Sequence, residues 1–250
     1  MITLTTIILP RLEVPYLKEW IDHNLVLGVD CIKIYDNGEH PIASHDAHWI
    51  GLAHILERET RRTSTKDLVW AKKPHLDYHD DIPYAEIQSQ LHELVDSYEN
   101  VFIVPWICGV DHEYGYPESQ KQMLSREINS NTGWLLNMDP DEFLKLPGYD
   151  NLQDLISHYS EFNHFYFGQS TGEERKLGTP IKELNVLEGF EPRLARKWMC
   201  DLDRCKSFVG DVWDYMVHNL EFGNPVGKTL EMKEAYFIHY KKELNKNDKS

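Results

Sequence analysis

Three carboxylates, those of Asp139, Asp141 and Glu142, follow directly after the largely apolar run 134–138. Acids at the end of a buried strand repel one another and resist desolvation, and a divalent cation placed among them relieves both effects. Oxygen-rich sites of this kind suit Mg²⁺ or Mn²⁺. The competing interpretation is an acidic turn that caps the next helix, with Pro140 setting the turn geometry.

The composition narrows the range of partners. With a formal net charge of −15 over 250 residues, the chain lacks the basic footprint that nucleic acid or an anionic membrane surface requires. A metal ion can nevertheless bridge an acidic protein to an anionic nucleotide. No apolar run approaches the roughly 20 residues that span a bilayer, no signal peptide is recognisable, and the four cysteines form no CxxC pair. These features predict a soluble, cytoplasmic protein with reduced thiols.

The elements that must position the acids begin with a strand, a helix and a second strand. Residues 3–9 are β-branched and apolar, 14–27 follow a helical period, and 31–35 are again strand-like. Such a unit is expected to be parallel and right-handed. Further helices are predicted at 82–98, 117–131 and 152–159, and further strands at 101–106, 134–138, 164–168 and 235–240. Beyond residue 171 the period is weak, which predicts loops and short elements.

This alternation predicts an α/β fold, with a mostly parallel, twisted sheet flanked by helices. We expect a single domain over 1–240 and a polar, mobile tail over 241–250. Sheets of this class bind ligands at the carboxyl ends of their strands. Because Arg11, Asp36 and Asp139 each follow a predicted strand, they are expected to converge on one edge.

Three segments, in order along the chain, resemble a known enzyme family. Residues 15–23 (Pro-Tyr-Leu-Lys-Glu-Trp-Ile-Asp-His), followed by 27–30 and 34–37, are similar to the opening of the family 92 glycosyltransferases. That family has bacterial and viral relatives and is related to the large family 2 group of GT-A enzymes. Residues 134–143 (Trp-Leu-Leu-Asn-Met-Asp-Pro-Asp-Glu-Phe) resemble its central Asp-x-Asp-Glu-Phe motif, and 239–241 its closing His-Tyr motif. The family's opening Asn-Glu pair is reduced here to Glu13.

The resemblance implies a GT-A fold, with a Rossmann-like nucleotide-binding half and an acceptor half. It also implies transfer of a sugar from a nucleotide donor, first of all a UDP-sugar, to a hydroxyl of a carbohydrate or glycoconjugate acceptor, with Mn²⁺ or Mg²⁺ as cofactor. Asp141 would coordinate the metal, and Asp139 would contact metal and ribose. His239 would complete the metal shell, with His218 as its rival.

The same resemblance, together with the basic residues near the site, predicts the donor-binding set. Its members are Arg11, Glu13, Asp36, Gln120, Asp139 and Lys241. Asp36 would lie under the base or ribose, although the sequence Asp-Asn-Gly at 36–38 equally fits a simple turn.

Glycosyl transfer with inversion also needs a carboxylate that removes the proton of the acceptor hydroxyl. Glu173 and Glu174 follow the predicted strand 164–168, which would place them near the acceptor; Asp211 and Asp214 are rivals. Taken singly, each also fits a solvated acidic loop.

Two other classes of function remain open at this point. Residues 75–81 bring two histidines and three aspartates together, which suits the metal site of a hydrolase but equally a polar loop. A non-catalytic module that binds a sugar or nucleotide is the third class.

Overall fold

The computed structural model describes residues 1–8, 10–36, 82–106, 115–173, 186–191, 197–204 and 226–240, with backbone alone at 11–12, 115–122 and 186–191. Along these parts the chain forms β1 (Ile2–Ile8), α1 (Pro10–Val26), β2 (Cys31–Asp36), α2 (Tyr84–Val95), β3 (Val101–Pro105), α3 (Gly115–Ser130), β4 (Trp134–Asn137), β5 (Glu142–Lys145), α4 (Leu152–His158), β6 (His164–Gly172), β7 (Val186–Glu191), β8 (Lys197–Asp201), β9 (Gly227–Thr229) and β10 (Tyr236–His239). No helix in these ranges is long and apolar enough to cross a bilayer.

The first half of the sheet is parallel, in the order β3-β2-β1-β4. In the centre, Thr5 on β1 pairs with Lys33 on β2 and with Asn137 on β4. The pairing confirms the predicted parallel unit of strand, helix and strand. The same strand order occurs in the nucleotide-binding half of doubly wound sheets.

The second half of the sheet is mixed, which corrects the expectation of a mostly parallel sheet. β8 runs antiparallel to both β4 and β6, β5 runs antiparallel to β10, and β7 runs antiparallel to β6. β9 and β10 run parallel to β6. β7 and β8 lie where the sequence predicts loops and short elements. A strand such as β8, whose residues 197–200 are all buried, shows no alternation of polar and apolar residues and is hard to recognise from its sequence.

Helices cover both faces of the sheet, as predicted. Trp20 of α1 and Leu91 of α2 belong to the larger apolar cluster, whereas Met123 of α3 belongs to a second cluster. The neighbouring β4 residues Leu136 and Leu135 fall into the first and the second cluster, respectively. Because successive residues of a strand point to opposite faces, the two clusters lie on opposite sides of the sheet.

One edge of the sheet collects the strand ends that matter for the site. β8 lies between β4 and β6 and runs antiparallel to both. As a result, β4, β6 and β10 all end at the edge where β1 and β2 end. The antiparallel strands β5 and β8 begin at that edge. The first residues of β5 and β8, Glu142 and Lys197, therefore lie beside the residues that follow β4.

Candidate functional site

The acidic turn, residues 138–142 from the end of β4 to the start of β5, lies where the direction of strand order changes. From β1 the chain proceeds to β2 and β3 on one side, and later returns to β4 on the other side. In open α/β sheets the crevice at the carboxyl ends of two such strands is the usual place for a ligand. The acidic turn is thus at the favoured position of this half of the sheet.

Hydrogen bonds to the backbone groups of Asp139 and Glu142 hold the acidic turn in shape. The Asp139 amide donates to Glu142 Oε2 at 2.9 Å, and the Glu142 amide donates to the Asp139 carbonyl at 3.0 Å. The indole Nε1 of Trp20 donates to the Glu142 carbonyl at 3.0 Å. The turn leads into strand β5 and not into a helix, so the alternative interpretation as a helix cap is wrong.

Lys197 reaches into the acidic turn from the start of β8. Its Nζ lies 2.9 Å from Asp139 Oδ2 and 2.9 Å from Glu142 Oε2, and its side chain is 1% exposed. A lysine ammonium therefore supplies part of the positive charge that the sequence interpretation assigned to a metal ion.

The charges of this cluster shift one another's titration. Burial raises the pKa of Glu142 to about 7, because Lys197 offsets only part of the desolvation while Asp139 and Asp141 add to the rise. Burial lowers the pKa of Lys197, but the two carboxylates raise it by more, so it stays above its usual value. Lys197 is accordingly a buried, charged ammonium.

Asp141 points to the other side of the turn, towards β10. Its Oδ2 lies 3.4 Å from His239 Nε2, and its carbonyl accepts from the Tyr240 amide at 2.9 Å. The side-chain amide of Gln169 contacts His239 Nδ1 at 3.3 Å and orients the ring. Burial lowers the pKa of His239, but the hydrogen bond and charge of Asp141 raise it by more, so it lies above its ordinary value.

The pair of Asp141 and His239 fits two ligands of one divalent ion. Two donors that each bind a metal at about 2.1 Å are about 3.0–3.4 Å apart for octahedral or tetrahedral angles, and the observed separation is 3.4 Å. Within the described ranges no group of three or more His, Cys, Asp or Glu side chains is arranged to hold a metal. Further ligands would have to come from water, from the bound ligand or from another part of the chain.

The other predicted residues are spread along the same edge. Asp36 ends β2, and its Oδ2 accepts from Gln88 Nε2 at 2.9 Å. Two strand spacings, about 10 Å, separate it from the acidic turn. Glu173 follows β6, two residues beyond Thr171, which pairs with His239. Glu13 is buried on α1.

Several predicted residues are not placed with their side chains. The backbone puts Arg11 in α1 and Gln120 in α3. Glu174, Asp211, Asp214, His218, Lys241 and the segment 75–81 lie outside the described residues.

Sequence reasoning missed two members of the site, Lys197 and Gln169. The available signal for Lys197 was a cation at the start of the apolar run 198–200, because a buried lysine requires a paired acid. No comparable signal marks Gln169, which reaches His239 through the pairing of β6 with β10.

No family model matches the chain, and no curated protein matches it. Among solved structures, an apo UDP-glucose pyrophosphorylase is similar over 97% of this chain and 91% of that chain, with 7% identity and a TM-score of 0.32. A UDP-glucose pyrophosphorylase from Acinetobacter baumanii is similar over 96% and 85%, with 10% identity and a TM-score of 0.33. TM-scores this low do not assign a shared fold, so the function has to be inferred from this chain's own residues.

Proposed function

We propose that the chain is a metal-dependent glycosyltransferase, which moves a sugar from a nucleotide donor, first of all a UDP-sugar, to a hydroxyl of a carbohydrate or glycoconjugate. The observation that supports this most is the pair of Asp141 and His239, 3.4 Å apart, at the edge where the strand order changes direction. Two converging ligands of different chemistry at that edge suit a metal that in turn binds a diphosphate.

In this proposal Asp141 and His239 hold Mn²⁺ or Mg²⁺. Bound there, the metal supplies a Lewis acid that stabilises the negative charge growing on the departing nucleoside diphosphate. Asp139, whose side chain is 29% exposed, faces the ribose. Asp36, about 10 Å away across two strand spacings, lies under the base or ribose, where Gln88 already orients its carboxylate.

The acceptor side of the proposed reaction lies at the end of β6. The acceptor oxygen attacks the anomeric carbon, and the bond from that carbon to the diphosphate breaks with its electron pair on the leaving oxygen. The acceptor proton passes to a carboxylate. Glu173, beside the β10 strand that carries His239, is our first choice for this base in an inverting reaction, with Glu174, Asp211 and Asp214 as the other candidates.

The first experiment is incubation with a panel of UDP- and GDP-sugars, with Mn²⁺ or with EDTA, while released nucleotide is measured. We expect nucleotide release to require both Mn²⁺ and an acceptor. Glu173→Gln should reduce this release without weakening donor binding. Donor binding without turnover for every acceptor would favour the non-catalytic binding module. Absence of donor binding under every metal condition would refute the transferase.

A further inference from the structure

Lys197 has no part in the transfer reaction proposed above, yet it occupies the interior of the acidic turn. Its ammonium is 1% exposed and contacts two carboxylates of the same turn, Asp139 and Glu142, each at 2.9 Å. Glu142 Oε2 also accepts from the Asp139 amide. The ammonium and this hydrogen bond therefore tie the two ends of the turn together.

A buried ammonium is strongly unfavourable unless acids compensate it, and buried acids need a cation in the same way. The Lys197 ammonium is the cation that Asp139 and Glu142 contact, and it offsets one of their two negative charges without a metal ion. The third acid of the turn, Asp141, is directed to His239 instead. The three acids of the turn thus divide into two that contact Lys197 and one that contacts His239.

We propose that Lys197 is a resident cation of the acidic turn, which takes the place of a metal between Asp139 and Glu142 and keeps Asp139 out of the metal's ligand set. A divalent ion then has Asp141 and His239 as its protein ligands. The assignment of Asp141 and His239 as metal ligands rests on the proposed function, whereas the role of Lys197 between Asp139 and Glu142 concerns the fold alone. Lys197 is in these terms a positioning residue.

Electrostatics supports the division. Like charges repel strongly at short range where water is excluded, so an ion that shared Asp139 Oδ2 with the Lys197 ammonium would face a positive charge 2.9 Å from its own ligand atom. An ion on the side of His239 avoids that repulsion.

The test is thermal unfolding of Lys197→Met, first in EDTA and then with Mn²⁺. Methionine keeps the length and apolar character of the stem but leaves two buried acids without a cation. We expect the Tm in EDTA to fall by about 10 °C. Mn²⁺ should restore a large part of the loss, because it can now occupy the position of the ammonium. The increase in Tm on adding Mn²⁺ should exceed that of the wild type.

A matched control is available in Lys33, whose Nζ lies 2.7 Å from the buried Glu127. Lys33→Met should also lower the Tm, but Mn²⁺ should not restore it, because a single acid is left there. In the double variant Lys197→Met, Asp139→Asn the additional stabilisation by Mn²⁺ should disappear. An equal Mn²⁺ response in Lys197→Met, Lys33→Met and the wild type would overturn the proposal.

A second measurement decides the matter even if Lys197→Met does not fold. Calorimetric titration of Mn²⁺ alone should give the same Kd for the wild type and Asp139→Asn, and a Kd at least about tenfold higher for Asp141→Asn. An equal loss of affinity in both variants would make Asp139 a ligand and refute our assignment. If the wild type binds no Mn²⁺ but Lys197→Met does, the metal site of the proposed function fails while the role of Lys197 stands.

Discussion

Among the residues that the structure describes, Glu127 and Glu142 are buried glutamates that each contact a lysine, and the clusters around them differ in the number of acids that they contain. In the first, Glu127 of α3 accepts from Lys33 at 2.7 Å and also from Tyr35 and Asn131. One carboxylate there has three donors. In the acidic turn, Asp139 and Glu142 contact the Lys197 ammonium, and Asp141 contacts the His239 imidazole.

The difference indicates what each cluster does. The Glu127 cluster is complete, and it fastens α3 to β2, because Lys33 and Tyr35 both lie on that strand. The acidic turn places three carboxylates at the edge of the sheet where the strand order changes direction. A single carboxylate with several donors contributes to stability, whereas several carboxylates at one place can contribute to binding a cation. Substitutions in the two clusters should therefore change different measurements.

The largest effect is expected from Glu127→Ala. Removing the acid leaves Lys33, Tyr35 and Asn131 without their shared acceptor, and we expect a loss of about 4 kcal/mol in the free energy of unfolding. Urea denaturation measures this. At a temperature where the variant is folded, its affinity for Mn²⁺ should equal that of the wild type. A weaker affinity would assign Glu127 to the site and remove the contrast between the clusters.

His164, which lies outside both clusters, makes the free energy of unfolding depend on pH. Burial lowers the pKa of His164 from 6.5 to about 4. Between these values the unfolded chain binds a proton that the folded chain does not. The contribution of His164 to stability is therefore complete above pH 6.5 and falls by about 3 kcal/mol as the pH decreases to 4.

Urea denaturation between pH 4 and pH 7 checks this expectation. His164→Gln should remove this part of the pH dependence, although the substitution itself lowers stability in a closely packed strand. An unchanged slope in His164→Gln would mean that other groups cause the acid sensitivity.

Asp141→Asn should weaken Mn²⁺ binding by about 100-fold, or about 2.7 kcal/mol. The substitution keeps the size of the side chain and removes the charge of a proposed metal ligand. The free energy of unfolding should change little, since the loss of the contact with His239 offsets the relief of repulsion from Glu142. Asp150→Asn, which makes the same charge change at an exposed position, is the control. Equal Mn²⁺ affinity in the two variants would contradict the assignment of Asp141.

The smallest effect is expected from Gly172→Ala, at the end of β6. A Cβ at this position would lie 2.2 Å from Cδ1 of Tyr240, whose ring is buried and packs against Phe143 with ring centroids 5.8 Å apart. We expect a loss of about 2 kcal/mol in stability. Because Tyr240 follows His239, Mn²⁺ affinity should fall as well. A loss of stability with unchanged Mn²⁺ affinity would show that the ring packing does not position the histidine.

The parts of the fold that could be predicted are those with local signals. β1, α1 and β2 follow from a β-branched run, a helical period and a second apolar run within the first 36 residues. The meeting of strand ends at one edge then follows from parallel pairing. On this basis Asp36 and the acidic turn could be placed at one edge, although their roles in binding stay predictions.

The second half could not be predicted, because its pairing is not local. β8 lies between β4 and β6, although it follows both in the chain. No sequence period reports which strands it joins or in which direction it runs. The direction of β8 is what brings Lys197 to Asp139 and Glu142, so the buried cation could not be assigned to the acids from the sequence alone.

A metal-dependent nucleotide site formed by the acidic turn and His239 predicts that UDP binding requires Mn²⁺. Calorimetric titration of UDP into the wild-type protein, once with Mn²⁺ and once with EDTA, tests it most directly. We predict saturable binding with one UDP per chain in Mn²⁺, and none in EDTA at the same protein concentration. UDP binding of equal affinity under both conditions, or no binding under either, would contradict the claim.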